Sequence, residues 1–94
     1  MAKERVRPID PYIAERERDY VADFFDEMVY ARMSRGLYQK DVARRIGVRQ
    51  THVHPIECGK YMPKLGTLVR YLMAIGCKLA IVDDPDSPFR RDQA

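Results

Sequence analysis

Residues 36–59 read GLYQKDVARRIGVRQTHVHPIECG, two short helical patterns broken by one glycine. The first starts at Gln39 and sets Val42, Ala43 and Ile46 on one face, the i, i+3, i+4, i+7 spacing of a helix lying on a core. Gly47 follows at once, where a left-handed C-cap residue meets no Cβ clash. Only Val48 and Arg49 separate it from the second pattern, in which Val53 and Ile56 face inward and Gln50, Thr51, His52 and His54 face outward.

Helices joined that tightly cross at a steep angle and present the second one's polar face to a partner. This is the helix-turn-helix arrangement, whose second helix fits the major groove of DNA. Charge agrees with it. Residues 32–64 hold eight cations (Arg32, Arg35, Lys40, Arg44, Arg45, Arg49, Lys60, Lys64) against Asp41 and Glu57, a local +6 within a chain of net charge +3. Residues 10–27 hold seven acids against Arg16 and Arg18, a local −5. Phosphates attract the first region and repel the second, so the asymmetry orients the chain on a duplex.

Working outward, residues 1–9 are a basic arm. Asp10 and Pro11 open a helix as N-cap acceptor and N1 proline. Tyr20, Val21, Phe24, Phe25, Met28, Val29 and Met33 continue it as an apolar stripe, in one long helix or two with a bend near Arg18. Beyond Gly59, residues 59–63 form a loop, and Leu65, Leu68, Val69, Leu72 and Met73 mark another amphipathic helix, with Tyr71 expected to be half-buried. Gly76 ends that helix, and residues 78–82 are a short β-prone run. A lone strand either packs as extended chain or pairs with the same strand of a second copy. The expected organisation is an arm (1–9), an all-α domain (10–82, with the paired helices at 39–57) and a loose tail (83–94).

A chain of 94 residues with 46% apolar content supports one domain with a modest core. No apolar run approaches the ~18 residues of a membrane span, and the start lacks the apolar region of a secretory signal, so a cytoplasmic location is expected. Cys58 and Cys77 lie far apart and are expected as free thiols. His52, His54 and Cys58 offer at most two metal ligands on one helix face, short of the four of a structural zinc site, so neither metal nor cofactor is expected. No nucleophile, base and orienting group fall together, which argues against an enzyme.

The chain resembles the Cro/C1-type helix-turn-helix family of phage repressors, small bacterial regulators and antitoxins. Gly36, Leu37, Gln39, Val42 and Ala43 carry the likeness, followed by Ile46, Gly47 and Val48, then Val53, Ile56, Glu57, Gly59 and Lys60, then Pro63, Thr67, Leu68, Ala74 and Gly76. The resemblance implies a lambda repressor-like helical bundle that binds double-stranded DNA as a homodimer, with a toxin as partner in the antitoxin branch. It implies that Gln39 bonds a DNA phosphate, that Arg49, Gln50 and Thr51 reach bases or nearby phosphates, and that Lys60 and Tyr61 form a backbone-contacting loop. It also pairs Glu57 with Arg32 as a structural ion pair. On this basis Gln50, Thr51, His52 and His54 are the expected base readers. Gln39, Arg44, Arg49, Lys60, Tyr61 and Lys64 are the expected backbone contacts. Two residues depart from the family pattern. Tyr38 stands where a threonine usually caps the second helix, a loss of roughly 1 kcal/mol. Pro55 stands inside the recognition helix, so that helix is expected to kink or to end at His54 and turn.

Overall fold

The computed structural model describes residues 6–89 and contains four helices: α1 (Pro11–Ser34), α2 (Gln39–Ile46), α3 (Gln50–Glu57) and α4 (Leu65–Ala74). Asp10 caps α1 by accepting the Tyr12 N–H at 2.9 Å, with Pro11 at the first helical position, and the helix runs as one piece. At ~1.5 Å per residue it is roughly 36 Å long, more than the core needs. Its second half carries the buried Phe25, Met28 and Arg32, while residues 13–20 are exposed.

The core gathers Phe25 and Met28 with Val42 and Ala43 of α2, Val53 and Ile56 of α3, and Tyr71, Leu72, Ala74 and Ile75 at the end of α4. Of the inward residues read from residues 36–59, Val42, Ala43, Val53 and Ile56 are buried and Ile46 is half-buried against them. Gly47 ends α2 at φ +75°, and the Val48 N–H reaches the Ala43 carbonyl at 3.0 Å to close the turn. A Cβ at Gly47 would meet nothing within 4 Å, so the demand for glycine there comes from φ alone.

Several expectations are revised. Tyr38 gives no side-chain cap, but its own N–H donates to the Asp41 carboxylate at 2.7 Å, so the second half of a capping box holds the start of α2. That N–H, and after it Arg44, holds the Asp41 carboxyl below the usual carboxylate range. The third helix neither stops at His54 nor gives way to a turn. It continues through Pro55 to Glu57, and the Cys58 N–H bonds the His54 carbonyl at 3.0 Å across the proline. Leu65, Val69 and Met73 of α4 are exposed, whereas Tyr71 is fully buried rather than half-buried. Residues 78–82 form no strand, because nothing among the described residues lies beside them to complete a ladder. Past them, the segment read as a loose tail is tied to α1. The Tyr20 hydroxyl donates to Asp84 at 2.7 Å, and the Tyr12 and Phe89 rings meet edge to face at 5.8 Å. Part of the basic arm, residues 1–5, lies outside the described residues, as do 90–94. No helix is long and apolar enough to cross a membrane among the described residues.

One ionic knot joins all four helices. Arg32 of α1 donates through Nε and Nη2 to the two carboxylate oxygens of Glu57 at 2.7 and 2.9 Å, and through Nη1 to the Leu37 carbonyl at 2.8 Å. Glu57, at the end of α3, also accepts from the Gln39 amide of α2 at 3.1 Å and from the Tyr71 hydroxyl of α4. Burial by itself would raise the Glu57 carboxyl, but the bonds from Arg32, Tyr71 and Gln39 outweigh it and the net displacement is downward. Burial and the Glu57 carboxylate both push the Tyr71 phenol up.

Removing Glu57 strands a buried guanidinium. Glu57→Ala should therefore destabilise the fold by about 3–5 kcal/mol in urea unfolding at neutral pH. Because the folded carboxyl is displaced downward, its stabilisation is present above the ordinary carboxylate range, near pH ~4.3, and is lost as pH falls through the folded value. The acid limb of the wild-type stability curve should be steeper than that of Glu57→Ala. For the tail, hydrogen bonding to Asp84 first of all raises the Tyr20 phenol to about 12. The contact is thus intact below the ordinary phenol range and lost as pH rises through about 12. An ultraviolet difference titration should show one tyrosine returning toward ~10 in Asp84→Asn, and an unchanged curve would refute the tie.

Candidate nucleic-acid interface

The outward side of α3 follows from what its inward side must do. Val53 and Ile56 are buried and Glu57 is held in the ionic knot, so on a ~100°-per-residue helix Gln50, Thr51 and His54 turn away from the core. All three are exposed. With Gln39 and Pro55 they line one shallow depression between the start of α2 and the face of α3. His52 is exposed as well but does not border that depression, and on the helical wheel it lies to the flank beside Ile56.

Arg44, Arg49, Lys60, Tyr61 and Lys64 are exposed. Arg44 donates to Asp41 at 3.2 Å, a weak surface pair that leaves its charge in solvent. Arg49 precedes the first turn of α3, whose unpaired N–H groups and positive dipole end favour an anion nearby. Arg45 does a different job. It reaches from α2 to the Ala74 carbonyl at 2.7 Å, joining the end of α4, so one cation of the basic region is spent on structure.

Gln39 is half-buried and turned inward. Its Nε2 donates to Glu57 at 3.1 Å and stands 3.4 Å from His54 Nδ1. The amide oxygen cannot occupy that place, because it would face the Glu57 carboxylate. The orientation of one amide therefore sets the next group in line. With Gln39 acting as donor, Nδ1 of His54 accepts and the ring proton sits on Nε2, which lies 3.2 Å from the Cys58 sulfur. Spacing alone signals the His54 and Cys58 contact, at i and i+4 on one helix, but nothing in the sequence placed Gln39 or Tyr71 around Glu57. Cys58 and Cys77 are free thiols, and no three potential ligands gather around a metal position among the described residues.

The chain Arg32, Glu57, Gln39, His54, Cys58 predicts a single neutral tautomer. Long-range 15N correlation spectra of the free protein should show His54 protonated at Nε2, and Gln39→Leu should produce a mixture of tautomers. Protonation at Nδ1 in the wild type would contradict this directionality.

The helix-turn-helix family profile matches residues 29–82, from the second half of α1 through the run after α4. Neither a curated protein nor a solved structure matches the chain. The matched span holds the paired helices, the ionic knot and the exposed face of α3, and the chain therefore belongs to the helix-turn-helix family of DNA-binding regulators, of the Cro/C1 type.

Proposed function

We propose that this regulator is a sequence-specific repressor that binds a two-fold operator as a homodimer in the cytoplasm, with residues 10–82 as its DNA-binding unit. One observation supports this above others. The exposed polar face of α3 is fixed from behind by two buried apolar residues and a buried ion pair, as a rigid reader requires. In this reading α3 enters the major groove and its two copies stand about 34 Å apart, one DNA turn. Gln50, Thr51 and His54 read base edges, with His52 at the flank, and Pro55 offers an apolar surface that suits a thymine methyl. Arg44, Arg49, Lys60, Tyr61 and Lys64 hold the phosphates, and Gln39 acts at their edge while also orienting His54. Occupying a promoter then blocks transcription without further machinery.

A second reading is an antitoxin that also binds its own promoter. It draws on the acidic, exposed first half of α1, where a cavity of about 530 Å³ lies between that helix and the α3–α4 loop. Val21, Phe25, Tyr61 and Met62 give this cavity an apolar floor, and Glu17 and Asp26 outnumber Arg18 on its charged rim. A basic protein held at fixed stoichiometry, and released by Glu17→Lys with Asp26→Lys, would establish it.

The decisive test is selection from random duplex pools at two salt concentrations, with sequencing of the bound fraction. The expected result is a short two-fold motif. Gln50→Ala should lose discrimination at one or two base pairs, whereas Lys60→Ala should weaken all sequences alike and flatten the salt slope by about one unit. Salt-sensitive binding without any enriched motif would overturn the sequence-specific reading.

A further inference from the structure

The cavity of about 530 Å³ between α1 and the α3–α4 loop has the size of a small-molecule site, within the ~300–1,000 Å³ that such sites occupy. α1 turns one face to it, from Ala14 to Asp26 at steps of three and four residues. The chain leaving α3, from Glu57 to Met62, forms the other wall. The floor is apolar and partly open, for Phe25 is buried and Val21 half-buried, while Tyr61 and Met62 keep 50% and 63% of full exposure. Its charge leans negative. The Glu57 carboxylate is already matched by Arg32, and among the remaining lining residues Glu17 and Asp26 stand against Arg18. Neither Glu17 nor Asp26 has an ion-pair partner among the described residues. α3 ends at the same wall, and the negative end of its dipole adds to theirs.

We propose that this cavity is an effector site for a compact organic cation with an apolar body, a lipophilic ammonium or phosphonium. Charge complementarity selects this occupant. An anion meets net repulsion there, and a neutral body of the same shape would desolvate two carboxylates without matching them. In the cation, the apolar body covers Val21, Phe25 and Met62, and the charge lies toward Glu17 and Asp26 with the Tyr61 ring beside it. Tyr61 also belongs to the loop that, in the operator reading, holds phosphate together with Lys60. A body seated between α1 and that loop engages Tyr61 on the cavity side and withdraws it from the duplex, so occupancy weakens binding to every sequence alike. This regulatory step rests on the operator reading, whereas the site itself does not.

Isothermal titration of the full chain without DNA tests the site, with tetraphenylphosphonium as probe and tetraphenylborate as its isostere of opposite charge. The phosphonium should bind with Kd below ~100 μM, and the borate roughly tenfold or more weakly. Glu17→Gln with Asp26→Asn should bring the two affinities together, and Ala22→Trp, on the exposed part of the same wall, should block both ions. The helical melting curve should stay unchanged in these variants, because all three residues are exposed and outside the core. A phosphonium that does not bind, or equal affinities of the wild type for the two ions, would overturn the site. At saturating phosphonium, affinity for a random-sequence duplex should fall about threefold or more in the wild type and hold steady in Ala22→Trp. A bound probe that leaves duplex affinity unchanged would overturn the effector role. Enrichment of a DNA motif is read separately, so its failure would sink the operator reading while probe binding still upholds the site. Protection of the cavity only on adding a basic protein would assign it to that partner and refute the proposal.

Discussion

The buried Arg32–Glu57 pair is the constraint on which the remaining geometry depends. Its guanidinium comes from the last turns of α1 and its carboxylate from the last residue of α3, and Gln39 and Tyr71 bring α2 and α4 to the same two oxygens. A domain this small buries few apolar side chains, and such a core tolerates small rotations of one helix against another. Directional bonds from four donor groups to one carboxylate do not. The knot therefore fixes the azimuth of α3, and with it the direction in which Gln50, Thr51 and His54 project.

The same knot explains how a proline is accommodated within the reading helix. Alone, the sequence from His54 to Pro55 disfavours helical geometry and deprives the Thr51 carbonyl of its usual donor, at a cost of roughly 3 kcal/mol in a regular helix. Here Val53 and Ile56 flank the proline in the core and Glu57 is bonded two residues later, so tertiary contacts on both sides outweigh the local penalty. The proline ring is left on the outward face beside Gln50, Thr51 and His54.

Electrostatics divide the molecule along its length. The basic region surrounds α2, α3 and the loop after them, and the acids are spread along α1, where Glu17 and Asp26 border the cavity that α1 shares with that loop. Most of those charges remain in solvent, where they contribute to attraction and orientation more than to stability. The exceptions are Arg32 and Arg45, which sit at helix junctions and act as fasteners.

By itself the sequence determined the order of the helices, though not whether the first is one piece or bends near Arg18, and it determined the buried positions 42–43 and 53–56 and the polar face of α3. These follow from 3.6-residue periodicity and from glycine and N-cap chemistry, which operate within a few residues of chain. The partnership of Arg32 and Glu57 was legible only through the family resemblance. The Asp41 bond that makes up for the missing Tyr38 side-chain cap spans three residues and is local, but tertiary structure alone decided that Tyr71 is fully buried on Glu57 and that Gln39 turns inward and orients His54. It also decided that Asp84 and Phe89 meet Tyr20 and Tyr12 of α1 and that 78–82 pair with no strand among the described residues. Each of these depends on groups up to 64 positions apart meeting in space, or on a neighbouring strand being present, and neither is encoded in local spacing.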